Sequence, residues 1–394
     1  MIPSAFKSGK VYSVLPSDGS GDLNFARTSE ATRVNQNGLI ETVGSNVPRI
    51  DYTDGGCPKL LLEPQSTNLV VQSEDNLVAL NSGVITNNAG TSPSGSSNAQ
   101  EVTFGATIND GAQILTANIS VSGNTQYTIS FYAKNVSGSG AFNLRVDTDT
   151  TAILVTQDFT ANGDWVRYSH TFTTDVSATS ITTNTRLRSL LNGNAIQFWG
   201  FQIEELSYAT SYIPTNGQEV TRDAETCTGA GDANTFNDSE GVLFAEISAL
   251  ANDGTNRMIS LTNGVSTASN ATLYFIPFAN QIRYIYEIDS SQQCNIIANI
   301  NVLQNNKFAI VYKLNRFELW GNGIKLGEDT NGTLNPQGTF TKLSFLRGAS
   351  QLPFYGNTKQ LQYFDTALND TDLEELTSWT SFNEMANALQ YTIL

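Results

Sequence analysis

Paired carboxylates are the residues in this sequence that come closest to an acid–base site. The run from Glu287 to Gln292 approaches a glycosidase strand motif, Glu-x-Asp-x-Glu or Glu-x-Asp-x-x-Glu, in which strand alternation places the nucleophile and the acid on one face. The acid position here is Ser291 or Gln292, and neither side chain can protonate a leaving group. We therefore expect a polar strand end at this position and a protein that is not an enzyme.

Histidine chemistry has a single candidate, because His170 is the only histidine. It alternates with Tyr168 and Phe172 in a predicted strand, which favours a packed histidine over a catalytic base. The adjacent carboxylates Glu204 and Glu205 would point to opposite faces of a strand. The sequence contains neither a Gly-x-Ser-x-Gly turn nor a phosphate-binding glycine loop.

Glycan binding is the non-catalytic chemistry that the aromatic residues favour. A sugar needs an exposed aromatic plane for its apolar face, and amides or charged groups for its hydroxyls. The residues in the C-terminal half that supply such groups are Arg283, Tyr284, Tyr286, Trp320 and Asn322. Tyr284 and Tyr286 share one strand face, and Trp320 and Asn322 flank a predicted hairpin tip. The alternative is that these rings form a sandwich core, and their exposure distinguishes the two.

Aspartate pairs are the candidates for a metal site, because calcium prefers hard oxygen ligands. The pairs are Asp18 with Asp22, Asp147 with Asp149, and Asp370 with Asp372. We single out Asp18 and Asp22. None of the pairs lies in an EF-hand loop, so turns, strand surfaces and helix caps are the alternative roles. We expect no cofactor other than a structural calcium ion at such a pair.

Length and composition indicate small β domains rather than helical bundles. At about 150 residues per domain, 394 residues favour two to three domains. Charged residues make up only 15% of the chain, whereas Asn, Ser, Thr and Gly are abundant, which is typical of short strands joined by turns. The net charge of −16 disfavours nucleic acid and anionic membrane surfaces as partners, and the sequence predicts no membrane insertion.

Strand signals recur along most of the chain and position these candidates. Residues 73–224 contain a predicted strand about every ten residues, and the apolar run from Ile196 to Ile203 predicts a central strand. A second set of strands follows the glycine-rich stretch Gly229–Gly231. Within this set, Asn322-Gly323 predicts a two-residue hairpin turn, since both positions of a type I′ turn have positive φ.

Only the C-terminal end has the pattern of a helix. Asn369 can cap a helix that begins at Asp370, with acidic residues in its first turn. Beyond this helix an apolar stripe continues to the end of the chain. Its main residues are Phe382, Met385, Leu389 and Leu394. Because an exposed apolar stripe invites aggregation, we expect these residues to pack on their own domain, a second copy or another protein.

Three runs near the N terminus resemble the leader shared by many structural proteins of tailed-phage particles. They are Phe25–Asn35 with Gly38–Glu41, Val47–Tyr52, and Leu61–Leu69. In such proteins the leader precedes a jelly roll similar to carbohydrate-binding modules. The matching strand here is Trp199–Glu205, and the segment that follows it matches at Ala209–Thr215 and Val220–Arg222. Residues from about 240 to 380 resemble a concanavalin A-like sandwich of the laminin-G type, with the Asn322-Gly323 hairpin and Tyr363–Leu368 as matching features.

These resemblances imply an all-β protein of four parts. The expected parts are an N-terminal arm or anchoring segment at 1–72, a jelly-roll β-sandwich at 73–224, a concanavalin A-like β-sandwich at 225–380 that includes the short helix, and an apolar C-terminal tail at 381–394.

The resemblances also imply a function without catalysis. The expected protein is a head fibre, capsid decoration or tail fibre on the exterior of a phage particle, assembled in the host cytoplasm and attached to host-surface or mucosal glycans. Its expected partners are other virion proteins and two further copies of itself in a homotrimer. The alternative is a purely structural decoration or connector protein without a sugar site, because sandwiches of this type serve both purposes. A glycan depolymerase is the least favoured.

Overall fold

The computed structural model describes residues 5–53, 55–189, 191–276, 280–348, 352–379 and 384. Over these residues the fold is all-β with a short helix near the C terminus, which confirms the predicted fold class. Within the same ranges, no helix has both the length and the apolar character needed to cross a membrane.

The strands of the described chain pair antiparallel in sheets. The first sixteen are β1 Phe6–Lys7, β2 Lys10–Val11, β3 Leu23–Ala26, β4 Ala31–Val34, β5 Ile40–Val43, β6 Arg49–Asp51, β7 Lys59–Leu62, β8 Ser66–Asn68, β9 Val78–Leu80, β10 Val84–Gly90, β11 Ala99–Thr103, β12 Gly111–Gln113, β13 Ile119–Ser120, β14 Gln126–Ser137, β15 Ala141–Val146 and β16 Val155–Thr160. The others are β17 Val166–Thr173, β18 Ser180–Ile181, β19 Arg186–Arg188, β20 Ala195–Glu204, β21 Val220–Arg222, β22 Thr226–Thr228, β23 Glu240–Ala249, β24 Arg257–Thr262, β25 Asn270–Phe275, β26 Gln281–Ile288, β27 Ser291–Asn299, β28 Asn306–Lys313, β29 Arg316–Gly321, β30 Ile324–Asp329, β31 Lys342–Ser344 and β32 Gly356–Phe364. The helix, α1, is Asp370–Thr377.

The chain folds into two compact units, each assembled from separate stretches of sequence. Unit 1 comprises Met1–Thr28, Gly44–Pro64 and Ala224–Leu394, and unit 2 comprises Ser29–Val43 and Gln65–Asp223. The residues expected to form an arm, 1–72, are therefore divided between the two units instead of forming a part of their own. The physical reason is that their short strands pair with strands from much later in the sequence.

Unit 1 is a β-sandwich with a large apolar core. Its seven-stranded sheet has the order β30-β29-β28-β23-β32-β7-β6, and its five-stranded sheet has the order β27-β26-β25-β24-β31. Alternate side chains of both sheets meet in the core, among them Leu243 and Phe308 from the first sheet and Leu273 and Tyr284 from the second. Stacking of the two inner faces removes these apolar side chains from water, which is the main stabilising contribution in such a fold.

N-terminal strands complete this sandwich. β7 pairs with β32, and β6 pairs with β7, so both extend one side of the seven-stranded sheet. β3 pairs with β22 in a smaller sheet that also contains β1 and β2. The apolar run of β7 explains its position, because Leu60 and Leu62 pack into the same core as β23 and β28.

Four buried charged side chains hold these segments of unit 1 together, and we call Arg27, Arg49, Glu63 and Glu225 the Arg–Glu cluster. Arg49 donates to Glu63 at 2.7 Å and to Glu225 at 2.8 Å. Arg27 donates to Glu225 at 2.6 Å and to the carbonyl of Gly44 at 2.7 Å. The backbone N–H of Glu63 donates to Glu225 at 3.0 Å. The cluster therefore joins all three sequence segments of unit 1.

The side chains of the Arg–Glu cluster are almost completely removed from water, with at most 4% exposed. Burial opposes the positive charge on Arg49, but the charges of Glu225 and Glu63 outweigh burial and raise the pKa of Arg49. Each charge in the cluster is thus stabilised by a partner of opposite sign. Removal of one partner would leave an uncompensated charge in the interior.

Helix α1 packs on the outer face of the seven-stranded sheet, where Leu373 and Trp320 belong to one apolar cluster. Glu318, two residues before Trp320, accepts hydrogen bonds from the Trp320 indole at 2.9 Å, Lys325 at 3.0 Å and Arg316 at 3.0 Å. Burial would raise the pKa of Glu318, but these three donors outweigh burial and hold the pKa below its usual value.

Two local predictions in unit 1 are confirmed. Asn322 and Gly323 connect β29 to β30 with φ angles of 51° and 84°, as a type I′ turn requires. Asn369 caps α1, because its side chain accepts a hydrogen bond from the backbone N–H of Asp372 at 3.0 Å.

Unit 2 is also a β-sandwich, with five strands in each of its main sheets. The sheet orders are β10-β11-β20-β14-β17 and β16-β15-β19-β12-β9. The predicted central strand is β20, which lies third in its sheet and is buried along its whole length. The core between the sheets contains Phe131 and Phe198 from the first sheet and Phe142 and Leu187 from the second.

Polar residues of the leader runs are also buried in unit 2. Asn68 donates to the carbonyls of Phe201 at 3.1 Å and Ile213 at 2.8 Å. Glu204 is fully buried and accepts a hydrogen bond from Ser66 at 2.6 Å. These contacts attach β8 to β20 and to the segment after it, so the leader sequence encodes specific buried hydrogen bonds.

We predict that Arg49→Leu destabilises unit 1 by about 3–5 kcal/mol, because Glu63 and Glu225 then lose a buried partner. The control is Lys313→Leu, which breaks a half-exposed ion pair with Glu240 and should cost less than about 1 kcal/mol. Urea denaturation measures the loss of unfolding free energy in each variant, and hydrogen exchange of the β7 amides measures the same loss locally. Equal losses would contradict a dominant role for the Arg–Glu cluster.

We also predict that Glu318 makes unit 1 sensitive to acid. Because its folded pKa lies below the ordinary value of 4.5, its stabilisation is present above pH 4.5 and is lost as the pH falls through the folded value. Glu318→Gln should lower the melting temperature of unit 1 at neutral pH. Below about pH 4.5, the melting temperature of this variant should fall less steeply with pH than that of the wild type. Thermal denaturation across this range tests the effect, with exposed Glu374→Gln as control. Parallel pH profiles for wild type and Glu318→Gln would disprove it.

Candidate functional site

The candidate site is a polar pocket in unit 2 with a volume of about 590 Å³. Of the twelve described residues that line it, seven carry an amide and two carry a carboxylate. The lining residues are Gln72, Glu74, Asp75, Asn87, Asn88, Asn98, Gln100, Pro214, Thr215, Asn216, Gln218 and Val220. We call this site the amide pocket. Its residues come from the loop before β9, from β10, from β11 and the residue before it, and from the segment that leads into β21 and the first residue of that strand.

A bulge in β10 presents two of the amides. β10 pairs with β11 up to Thr86 opposite Glu101, and pairing resumes with Gly90 opposite Ala99. Three residues of β10 therefore face a single residue of β11, and Asn87 and Asn88 are two of the three. Asn88 has a φ of 55°, a left-handed conformation that asparagine adopts more readily than most residues. Both side chains are exposed, as expected where a bulge redirects a strand.

Hydrogen bonds between lining residues fix the pocket wall. Gln100, which is only 3% exposed, donates to Asp75 at 3.0 Å and to Asn87 at 2.9 Å. Asn98 donates to Glu74 at 2.6 Å. Both carboxylates of the pocket are thus held by amide donors, which leaves their other lone pairs to accept further hydrogen bonds.

Tyr212 supports the pocket from behind Glu74. Its hydroxyl lies 3.0 Å from Glu74 and 2.6 Å from the hydroxyl of Ser73. Burial, and then the negative charge of Glu74, raise the pKa of Tyr212 well above its usual value. The phenol therefore stays protonated and donates to Glu74, which orients that carboxylate.

The amide pocket has the groups that hydroxylated ligands need. A sugar hydroxyl both donates and accepts a hydrogen bond, and an amide offers both functions on one side chain. The side-chain oxygen of Asn98 is buried and has no hydrogen-bond partner among the described residues. Pro214 and Val220 supply apolar contact, and no aromatic ring belongs to the described lining. The arrangement therefore favours hydrogen bonding over stacking.

The tyrosines expected to bind a glycan lie inside unit 1. Tyr284 and Tyr286 do share one face of β26, but that face points into the core, and both residues are 0% exposed. Burial raises the pKa of Tyr286 to about 12, and its hydroxyl accepts a hydrogen bond from the backbone N–H of Asn335 at 3.0 Å. The apolar rings stabilise the sandwich core, so they form no platform for a sugar.

The other expected glycan-binding residues are not gathered into one site either. Trp320 is 5% exposed because α1 covers the outer face of its sheet. Asn322 accepts from the backbone N–H of Lys307 on the neighbouring strand β28 at 3.0 Å. Arg283 is partly exposed on the opposite face of β26 from Tyr284 and donates to Asn295 at 2.7 Å.

The expected metal ligands Asp18 and Asp22 bind serines. Asp18 accepts from the backbone and hydroxyl of Ser20 at 2.9 and 2.7 Å, and Asp22 accepts from the backbone of Ser13 at 2.9 Å. These are turn interactions, and the described residues contain no group of three or more His, Cys, Asp or Glu side chains placed to hold a metal ion. The assembly residues Phe382, Met385, Leu389 and Leu394 lie outside the described residues.

The glycosidase-like run forms a hairpin in unit 1. Asp289 and Ser290 have φ angles of 46° and 68° and connect β26 to β27. Glu287 accepts a hydrogen bond from Asn270 at 2.8 Å and also pairs with Arg347. Its carboxylate is therefore committed to structural contacts.

The amide pocket was not expected from the sequence. Its residues are spread from Gln72 to Val220 without a fixed spacing, so only the folded chain brings them together. One local signal was available in the run from Val84 to Gly90. Asparagine is depleted in strands, and an Asn87-Asn88 pair within such a run indicates a bulge.

Several solved structures show limited similarity to parts of the chain. The CBM40 domain of the Ruminococcus gnavus IT-sialidase bound to α2,3-sialyllactose has 14% identity and a TM-score of 0.33, covering 37% of this chain and 86% of that chain. The SAP-like pentraxin of Limulus polyphemus has 13% identity and a TM-score of 0.31, covering 36% and 72%. The CBM22-1–GH10 modules of Clostridium thermocellum xylanase 10B complexed with xylohexaose have 18% identity and a TM-score of 0.28, covering 38% and 30%. These values are too low to transfer a ligand or an activity.

Comparison of the sequence with known families gives a match in unit 2. Residues 75–188 match the family model described as Carbohydrate binding domain. Comparison with curated proteins finds no match. The matched residues include β10 and β11 and five of the residues that line the amide pocket. Unit 2 therefore contains a region similar to carbohydrate-binding domains.

Proposed function

We propose that this chain is a glycan-binding protein without catalytic activity, and that unit 2 contacts the glycan through the amide pocket. One observation carries the proposal. The unit that matches a carbohydrate-binding family also has a pocket of about 590 Å³ lined by seven amides and two carboxylates. Hydrogen-bonding side chains in a concave site are the groups that orient a polar ligand.

The composition of the pocket sets the strength of binding. Hydrogen bonds would be the main contacts between the pocket and a glycan, and each adds about 0.5–1.5 kcal/mol of net binding free energy. Binding of one copy is therefore weak. Several copies that meet the same surface would bind much more strongly, since the second contact becomes intramolecular once the first has formed.

Fixed carboxylates support binding rather than catalysis. A glycosidase needs one carboxyl group that is free to protonate the leaving group and another that acts as nucleophile or base. In the amide pocket, Glu74 accepts hydrogen bonds from Asn98 and Tyr212, and Asp75 accepts one from Gln100. Outside the pocket, Glu287 is paired with Arg347. These carboxylates are placed as hydrogen-bond acceptors and structural partners.

The resemblance of the leader supports a finer proposal, a place on the exterior of a tailed-phage particle. In this role the chain would be a head fibre, capsid decoration or tail fibre that assembles in the host cytoplasm as a homotrimer with other virion proteins. Host-surface or mucosal glycans would be its ligands. Arg27, Arg49 and Glu63 of the leader runs belong to the Arg–Glu cluster, so the runs that carry the resemblance have a structural purpose in unit 1.

Asn88→Gly tests the amide pocket. Glycine tolerates the positive φ of this position, and the substitution removes the side-chain amide together with its methylene group. Loss of one hydrogen bond should weaken binding of a neutral oligosaccharide, selected on a glycan array, by about 2- to 12-fold, without a change in melting temperature. Isothermal titration calorimetry measures the difference.

The matched control is Asn124→Gly, which removes another exposed asparagine of unit 2 with a φ of 53°, outside the pocket. This variant should bind as the wild type does. Equal weakening by both variants would contradict the pocket as the site. If no glycan on the array binds, the structural-connector alternative replaces the proposal.

The virion role has its own test. Cryo-electron microscopy of the particle that contains this chain should find the amide pocket open to the outside. An amide pocket occluded by neighbouring capsid or tail subunits would contradict attachment to glycans.

A further inference from the structure

A second polar surface of unit 2 is the outward face of the sheet β16-β15-β19-β12-β9. Phe142, Leu144 and Leu187 point from this sheet into the core. Strand alternation therefore places the residues between them on the other face. The residues of this arginine face are Gln113, Asn143, Arg145, Asp158, Arg186 and Arg188. None of them lines the amide pocket.

Three guanidinium groups are crowded on two neighbouring strands. Arg145 on β15 lies directly opposite Arg186 on β19, and Arg188 follows two residues later on the same face. Like charges in opposite positions destabilise a sheet. Water screens the repulsion between these charges only weakly, because Arg188 is 7% exposed and the side chain of Arg145 is 13% exposed.

Only one of the three arginines has a carboxylate partner. Arg145 pairs with Asp147 through two hydrogen bonds. Arg188 donates to the amide oxygen of Asn143, and Arg186 donates through Nε to the carbonyl of Asn184 at 3.1 Å. Within the described chain, neither Arg186 nor Arg188 forms an ion pair, and the two terminal nitrogens of Arg186 donate to no residue.

Burial and the charge of Arg145 lower the pKa of both Arg186 and Arg188, so their positive charges are less well stabilised than in water. The charge of Asp147 acts in the opposite direction on both arginines, but no described carboxylate forms an ion pair with Arg186. A bound anion would stabilise this arrangement.

We propose that the arginine face binds the carboxylate groups of an acidic saccharide, with Arg186 as the main charged contact. The inference rests on the proposed glycan-binding function of unit 2. It adds acidic saccharides as a second class of ligand, bound at the arginine face instead of the amide pocket. A guanidinium fork matches a planar carboxylate through two parallel hydrogen bonds. Gln113 and the Asn143–Asp158 pair, joined by a 2.7 Å hydrogen bond, lie beside the arginines and can contact sugar hydroxyls.

The neighbouring acids favour a uronate-bearing saccharide over a polyphosphate. Asp158 lies on the same face as the arginines, Asp147 is paired with Arg145, and the whole chain is strongly acidic. A nucleic acid carries a charge on every nucleotide and would be repelled by both. A saccharide with separated carboxylates can place one of them on Arg186 and its hydroxyls near Asp158.

The test is an array that carries oligogalacturonate, oligoguluronate, oligomannuronate and hyaluronan oligosaccharides, each beside its carboxyl-reduced form. The full chain should bind at least one acidic form, and carboxyl reduction should weaken that binding by at least about tenfold. Arg186→Gln should cause a similar loss. Because this change removes a like-charge contact with Arg145, the melting temperature should stay the same or rise.

Arg33→Gln is the matched control, since it removes a positive charge from a partly exposed ion pair elsewhere in unit 2. It should leave binding of the acidic form unchanged. Sulfated oligosaccharides and a single-stranded oligonucleotide are added to the array, and preferred binding of either would overturn the proposed ligand class. Binding of neutral glycans alone would overturn this inference but not the proposed function, whereas absence of all glycan binding would overturn both.

Discussion

Pairing of buried charge is the constraint on which unit 1 depends. Arg27, Arg49, Glu63 and Glu225 come from three separate sequence segments, and none of these charges is tolerable in the interior without the others. Their pairing requires the N-terminal residues to return to the strands that follow Ala224. The seven-stranded sheet then gains β6 and β7. Such a cluster also explains why arginine and glutamate occur at these places in the leader, where surface roles would tolerate many other residues.

Local features of the fold could be predicted from the sequence because their causes are local. The hairpin at Asn322-Gly323, the cap at Asn369 and the continuous apolar run of β20 each depend on a few adjacent residues. The division of residues 1–72 between two units depends on pairing with strands more than a hundred residues away.

Strand alternation places Tyr284 and Tyr286 on one face, but it does not identify which face of β26 is buried. The amide pocket was missed for a similar reason, because its amides meet only after β10, β11 and the segment before β21 have packed.

Unit 2 combines an amide-rich pocket and an arginine-rich face on one sandwich. The amide pocket uses fixed amides and carboxylates, and its wall is held by Gln100 and Tyr212. The arginine face concentrates positive charge in a chain that is otherwise acidic. The apolar core lies beneath both surfaces. Because the core stabilises the fold, surface side chains can be positioned for binding. Sandwich folds serve many purposes, so function here has to be argued from these sites and not from the fold.

Chemical-shift mapping of the full chain with the neutral oligosaccharide that it binds tests the central claim most directly, because side-chain amide resonances report contacts at single residues. Glycan binding in the amide pocket predicts that the NH₂ signals of Asn87, Asn88 and Asn98 shift with increasing oligosaccharide, together with backbone signals of β10 and β11. Shifts confined to the outer surfaces of unit 1, with these signals unchanged, would contradict it.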